Sequence, residues 1–307
     1  MGDNGFTGRA QQLEEKAIDT EYREMLEMAG RGGAPGPGYV PREPIEQKYR
    51  GRIVPLFEPF ERIPDPGAYD APIRSLKDAM HQLSDGESKD PVGEANIRAN
   101  PDLAHAHSAG DRLDGWTGAA ADSFKTNFLD KFPYISKNQF LLLGVMKGAL
   151  EADQERWRSV REDINRVLVT TDNGLDDVFS SSQNDLSFAC SVAVAVSSIG
   201  AIPFAGVGAG VIAAVGAVGV TGSAGIAGQK AFNEPGGSTE QVVKSLENAI
   251  KRITEETKKA GGKVAHALAG VHRQVDSARD DFVSPRPALA GMDGGETTGE
   301  SGLGRVV

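Results

Sequence analysis

Few side chains able to carry chemistry stand close enough together to use it. His105 and His107 are two apart and point to different faces of a helix, which makes them a poor metal pair. His81, His266 and His272 have no carboxylate or cysteine companions at ligand spacing. Cys190 is the only cysteine, which excludes an internal disulfide framework and a multi-cysteine metal site. It lies in an apolar run and reads as a small buried hydrophobe. The adjacent carboxylates Glu162-Asp163 and Asp176-Asp177 read as solvated faces. Gly208-Ala209-Gly210-Val211-Ile212-Ala213 satisfies G-x-G-x-x-A, and Glu234 stands near the distance of a ribose-binding acid. The Gly-rich run continues to Gly228, however, and no second strand precedes Glu234, so the βαβ unit that gives the motif its meaning is missing. There is no G-x-x-x-x-G-K-[ST] loop and no G-x-S-x-G elbow. The chain reads as non-enzymatic, with no cofactor, no metal site and no small-molecule substrate.

If chemistry does not organise the chain, packing must. The net charge of −10 disfavours nonspecific nucleic-acid binding, because a polyanion needs a basic face. Aromatic residues make up only 6% of the sequence, against 38 glycines gathered in a few places, which argues against a compact mixed fold. The expected class is all-α: an elongated helical bundle. The N-terminus shows no basic region followed by an apolar stretch, so export, if it occurs, is expected to follow a leaderless route to the exterior or cell surface.

The pattern divides the chain. Residues 1–43 hold a helix and a Pro/Gly linker: Leu13, Ala17, Ile18, Tyr22, Met25 and Met28 share one broad face, before Gly30-Arg31-Gly32-Gly33-Ala34-Pro35. Residues 44–68 read as an extended strap, since Pro55, Pro59 and Pro64 forbid a regular helix. In residues 69–173, Ile73, Leu76, Met80 and Leu83 mark a short amphipathic helix, and another helical stretch runs toward Leu113. A long stripe then steps through Phe124, Phe128, Phe132, Ile135, Gln139, Leu142, Met146, Leu150, Asp153, Trp157, Val160, Ile164 and Val167. Pro133 should bend or interrupt this helix near its start, and Asn173-Gly174 should stop it. Over 238–283, Ser238 and Gln241 form a capping box, and Val242, Leu246, Ile250, Ile253, Thr257, Val264, Leu268, Val271, Val275 and Phe282 trace a second stripe. Glu240–Lys244, Glu247–Lys251 and Glu255–Lys259 are favourable i,i+4 pairs, and Gly261-Gly262 is the weak point. Residues 284–307 read as a disordered tail.

Between Asp185 and Lys230 lie 44 consecutive residues without a charge. Pro203 divides this run, residues 186–229, into two parts, each near the roughly 20 residues that cross a bilayer as a helix. Gly206 and Gly210 form a G-x-x-x-G pair, and Gly216, Gly219, Gly222, Gly225 and Gly228 recur every third residue. Such glycines let another backbone approach, so they are the candidate face for helix association or membrane contact. The simplest expectation is an apolar Gly/Ala-rich helical hairpin turning near Pro203, in contact with a membrane or buried in a bundle. A protein partner or homo-oligomer is expected.

Leu113-Asp114-Gly115-Trp116-Thr117-Gly118-Ala119-Ala120-Ala121-Asp122-Ser123-Phe124 resembles the turn of the W-x-G family of type VII (ESX) secretion substrates. The resemblance implies an antiparallel helix-turn-helix hairpin with Trp116 and Gly118 as the motif residues. Gly118 would permit the tight turn, Trp116 would cover the hairpin's end, and Ala119 to Ala121 would let the helices meet. The family often carries an aromatic-x-x-x-acid signal after its second helix, whereas here Trp157 is followed at the fourth position by Arg161. The length matches the larger, effector-like relatives. The resemblance therefore implies a type VII-exported protein that acts by assembly or membrane interaction, with a partner supplying the missing signal. The alternative is a cytoplasmic helical scaffold with the apolar hairpin in its core.

Overall fold

The computed structural model describes residues 5–31, 40–92, 96–109, 115, 122, 124–179, 186–190, 199–203, 211–215, 230–234 and 237–283. These residues are predominantly helical, and the fold class is all-α. In chain order the α-helices are α1 (Phe6–Arg31), α2 (Glu43–Tyr49), α3 (Val54–Phe57), α4 (Asp70–Gln82), α5 (Pro101–His107), α6 (Phe132–Asp176) and α7 (Thr239–Ser277). Four short strands interrupt them: β1 (Leu186–Cys190), β2 (Ile199–Pro203), β3 (Val211–Val215) and β4 (Lys230–Glu234). The chain falls into two compact units. One comprises Met1–Ala68, Asp153–Ser197 and Val220–Gly262; the other comprises Tyr69–Ala152, Ser198–Gly219 and Lys263–Val307. The W-x-G residues Trp116 and Gly118, the Pro/Gly linker at 32–39 and the tail from 284 lie outside the described residues.

The first unit has an apolar core of Ala10, Leu13, Ala17 and Ile18 from α1, Val160, Ile164, Val167 and Leu168 from α6, and Val242, Leu246 and Ile253 from α7. Around it, carboxylates take up the backbone donors of neighbouring segments. Glu61 accepts from the Thr7 N–H at 2.6 Å and the Thr7 hydroxyl at 2.8 Å, covering a first-turn donor that the helix cannot satisfy itself. Glu14 accepts from the N–H groups of Gly51 and Ile53, at 3.1 and 3.3 Å. Gly51 has φ of 71°, a left-handed turn suited to glycine, and α3 begins just after it.

A polar network ties this layer to α7. Arg52 Nε donates to Glu247 at 2.6 Å, and its Nη1 and Nη2 donate to Glu240 at 2.9 and 3.1 Å. Lys48 reaches Glu21 at 2.7 Å and Glu240 at 3.0 Å, and the buried Tyr49 hydroxyl donates to Glu21. Burial, then the hydrogen bond to the Glu21 carboxylate, pushes the Tyr49 phenol well above its usual range. The Arg52 guanidinium against Glu240, with the Lys48 ammonium beside it, holds that carboxyl down to about 2.

In the second unit, Ile73 and Met80 from α4, Leu103 from α5, Ile135, Phe140, Val145 and Ala149 from α6, and Val264, Ala267 and Val271 from α7 are buried. Phe282, after α7, joins Val145 and Val271, with Leu141, Leu142, Val275 and Ala278 against them. Asn138 and Gln139 fasten this end by donating to the carbonyls of Asp281 and Phe282, at 2.9 and 2.7 Å. The loop before α5 is closed by Ser84, whose hydroxyl donates to the Ile97 carbonyl at 2.9 Å, and by Asn100, which caps α5 by accepting from the Asp102 N–H at 3.1 Å. Lys147, 3% exposed, donates to Asp90, 7% exposed, and pairs with Glu151 at 3.1 Å; it is a charge held almost out of water.

Several expectations need correction. Pro44, Pro55 and Pro59 each sit in the first two positions of a short helical turn, where a missing N–H costs nothing, whereas Pro64 lies in the non-helical stretch 63–65. Pro133 stands in the first turn of α6, and the interruption expected there is present: a π-helical turn over Lys125–Leu129 and a break at 130–131 precede the helix. The α6 stripe holds over Val160, Ile164 and Val167. Nearer the start, Val145 and Ala149 take the buried face and Met146 is turned outward. On α7, Ala267 is buried where Leu268 was expected. Met25 and Met28 of α1 are exposed, so its apolar face outruns the core that covers its first half. Asp163 is buried and paired with Arg166 at 3.3 Å, not a solvated carboxylate. Of the expected α7 pairs, Glu240–Lys244 stands at 3.5 Å, whereas Glu247 meets Arg52 and Lys259 meets Glu256. His272 has a carboxylate companion after all, Asp276 at 2.9 Å.

Two measurements test this account. Asp90→Ala leaves the buried Lys147 ammonium with Glu151 alone and should cost about 1–3 kcal/mol in urea unfolding, whereas Asp90→Leu with Lys147→Met should recover most of that loss. For pH, the Glu240 carboxyl titrates at about 2 in the fold, against 4.5 ordinarily. A depressed carboxylate stabilises fully above its unfolded value, and that share is lost as pH falls from about 4.5 towards 2. Glu240→Gln should flatten the fall of unfolding free energy across that window.

Candidate functional site: the charge-free insert

The charge-free run enters from the end of α6 and returns to the start of α7. Asn173-Gly174 does not stop α6, which continues to Asp176 and tightens into a 3-10 turn over Asp177–Phe179. Gly174 serves packing instead. A methyl group at that position would come within 2.7 Å of Leu186 Cδ2 and 3.4 Å of Val242 Cγ1, so the missing side chain seats the first residue of the insert. Phe188, two residues on, is 1% exposed. On the return side, the Ser238 hydroxyl accepts from the Gln241 N–H at 3.3 Å, the first half of the expected capping box. Glu24 of α1 accepts from the Thr239 N–H at 3.1 Å, closing the N-terminus of α7.

The described parts of the insert are strands, and the expected helical hairpin is corrected here. In the first unit β1 and β4 pair antiparallel, with Leu186 opposite Glu234, Phe188 opposite Phe232 and Cys190 opposite Lys230. In the second unit β2 and β3 pair antiparallel, with Ile199 opposite Val215, Ala201 opposite Ala213 and Pro203 opposite Val211. Pro203 therefore ends a strand, where its lack of an N–H is tolerated, and does not mark the turn of a helical pair. The physical reason lies in composition. Val and Ile lose rotamer freedom in a helix, and each interior glycine costs about 1 kcal/mol there. Among the described residues each sheet has two strands.

Gly206, Gly210, Gly216, Gly219, Gly222, Gly225 and Gly228 lie outside the described residues, as do Trp116 and Gly118. Among the described residues no helix is long and apolar enough to cross a membrane. No group of three or more His, Cys, Asp and Glu side chains among them is arranged to hold a metal.

Two further features of the first unit bear on chemistry. A cavity of about 930 Å³ runs along α1 and the end of α6, lined by Glu15, Asp19, Arg23, Leu175, Asp176 and Phe179 among others. Its charges are largely committed. Lys16 pairs with Asp172 at 2.7 Å and Asp176 at 2.8 Å, and Asp19 pairs with Arg42 at 2.6 Å. Burial works against the Lys16 charge, but hydrogen bonds to the two aspartates outweigh it and raise its pKa. Gly261, expected to weaken α7, instead makes room for Arg156, whose Nη1 would lie 2.8 Å from a methyl there. Arg156 donates to the Thr257 carbonyl at 3.3 Å and lies 4.0 Å from the centroid of the Trp157 ring.

The seat of Leu186 can be tested directly. Gly174→Val should overpack it and lower stability by about 1–3 kcal/mol, read from the thermal midpoint, whereas Asn173→Ala on the exposed side of the same turn should be nearly neutral. Comparison with protein-family models, with curated proteins and with solved structures finds no match.

Proposed function

We propose that this is a non-enzymatic, W-x-G-type helical protein, exported by a type VII-like secretion system, that acts by assembly or membrane contact through residues 186–229. The observation that carries this reading is the run of 44 residues without a charge, set between two long helices rich in ion pairs. A segment of that length with no charged side chain lacks the ionised groups that are costliest to take out of water, so contact with lipid or another apolar surface is less opposed there than elsewhere in the chain. The export half rests on the resemblance of Leu113 to Phe124 to the W-x-G turn.

The burial of Phe188 and the close seat of Leu186 favour a second reading, a cytoplasmic scaffold that keeps the insert against its helices. The two part company in a liposome experiment. Deleting Leu186 to Gln229 should abolish vesicle binding and leave the helical signal largely intact under the first reading. Under the second, the same deletion unfolds the protein, and the intact chain ignores vesicles. Export is tested separately: Trp116→Ala and Gly118→Ala should each reduce the secreted fraction sharply, and unchanged secretion sinks the type VII assignment.

A further inference from the structure

In the first unit α7 has two faces. Val243, Leu246, Ile250 and Ile253 are buried in the core. On the opposite face, from Lys244 to Lys259, the exposed charges are Lys244, Lys251, Lys258 and Lys259, set against Glu255 alone. Lys244, Lys251 and Lys258 recur every seven residues, about two turns, so they stand in one row with about 10 Å of rise between neighbours. A chain whose net charge is −10 thus gathers cations on one helix face.

The carboxylates placed to neutralise this row are held elsewhere. Glu247 stands one turn before Lys251, where a favourable pair would form, but Arg52 takes it at 2.6 Å. Arg52 also takes Glu240 at 2.9 Å, and Lys48 takes it at 3.0 Å, which leaves Lys244 a longer contact of 3.5 Å. Lys259 meets Glu256, also at 3.5 Å, and the side chains of Lys244 and Lys259 stay 64% and 67% exposed. Lys251 and Lys258 have no ion pair among the described residues. The segment that carries Lys48 and Arg52 draws the acids of α7 inward and leaves its lysines facing solvent.

Resting on the membrane-contact reading above, we infer that this row is a docking face for an anionic lipid surface, so that the protein selects acidic headgroups over zwitterionic ones. Each lysine brought to such a surface strengthens attachment about fivefold, and the attraction fades within a Debye length. A leaflet suits a row of this kind. Its acidic lipids diffuse sideways and gather beneath the lysines, and the helix need not deform to meet them. A nucleic-acid duplex instead holds its phosphates in fixed, dense strands, whose repulsion the excess carboxylates of the chain would also meet.

The test floats the full chain with vesicles of phosphatidylcholine alone and of phosphatidylcholine with phosphatidylglycerol. Expected is tighter binding to the anionic vesicles, an advantage that vanishes at about 1 M salt. Lys251→Gln with Lys258→Gln should weaken anionic binding about thirtyfold and leave the thermal midpoint in place. Arg23→Gln with Arg74→Gln removes the same charge from exposed positions on α1 and α4, and should weaken it far less. Equal losses in the two pairs show total charge at work, not a face, and overturn the inference. Equal binding of the intact chain to both kinds of vesicle also overturns it and leaves membrane contact standing; failure to float with either overturns the membrane reading itself. A short DNA duplex that strips the chain from anionic vesicles at matched phosphate concentration overturns the choice of lipid.

Discussion

Arg52 is the point on which the first unit turns. A guanidinium is planar, carries five donors and stays charged, so one side chain can face two carboxylates at once. Here it faces Glu240 and Glu247, about two helical turns apart on α7, from a segment that α1 already grips through Glu14 and Glu21. The apolar contacts of Ile45, Tyr49, Ile53 and Phe57 fill the space beneath. Hydrophobic burial supplies the driving force, but it is non-directional. The guanidinium fixes which stretch of the strap lies over which turn of α7, and a lysine in that place would lose the paired geometry.

How much of this could be read from the residues alone depends on the physical origin of each feature. Long amphipathic helices announce themselves by periodicity, and α1, α4, α6 and α7 were legible because burial of one face is a repeated choice along the chain. Single positions were less so. Proline carries two opposite meanings, helix breaker within and helix starter at the first turn, and only the position of the turn decides between them; Pro44, Pro55, Pro59 and Pro133 all took the second. Glycine is equally ambiguous. Gly174 and Gly261 sit inside helices because Leu186 and Arg156 need the room a side chain would fill, and such tertiary demands leave no local trace.

The candidate site was legible as a location and misread as a structure. A charge-free run is visible without any fold, but its expected helical hairpin rested on length and on glycine spacing. The Val- and Ile-bearing stretches at Ile199–Pro203 and Val211–Val215 instead chose strand pairing, in which a β-branched side chain packs without rotamer loss and glycine spacing has no helical meaning. The long polar reach of Arg52, Lys48 and Tyr49 across nearly two hundred positions to Glu240 left no periodic signature at all.

The Lys147 ammonium, sealed between Asp90 and Glu151, gives the second unit a built-in gauge. Its amine is shut away from solvent, whereas Lys244 and Lys259 on α7 stand open. An acylating reagent in water meets the open amines at once and meets Lys147 only during moments when its surroundings part. The pace at which that one residue gains mass, set against that of an open lysine, then tracks how much of the time its neighbourhood stands open, reported by the unaltered chain without any attached probe.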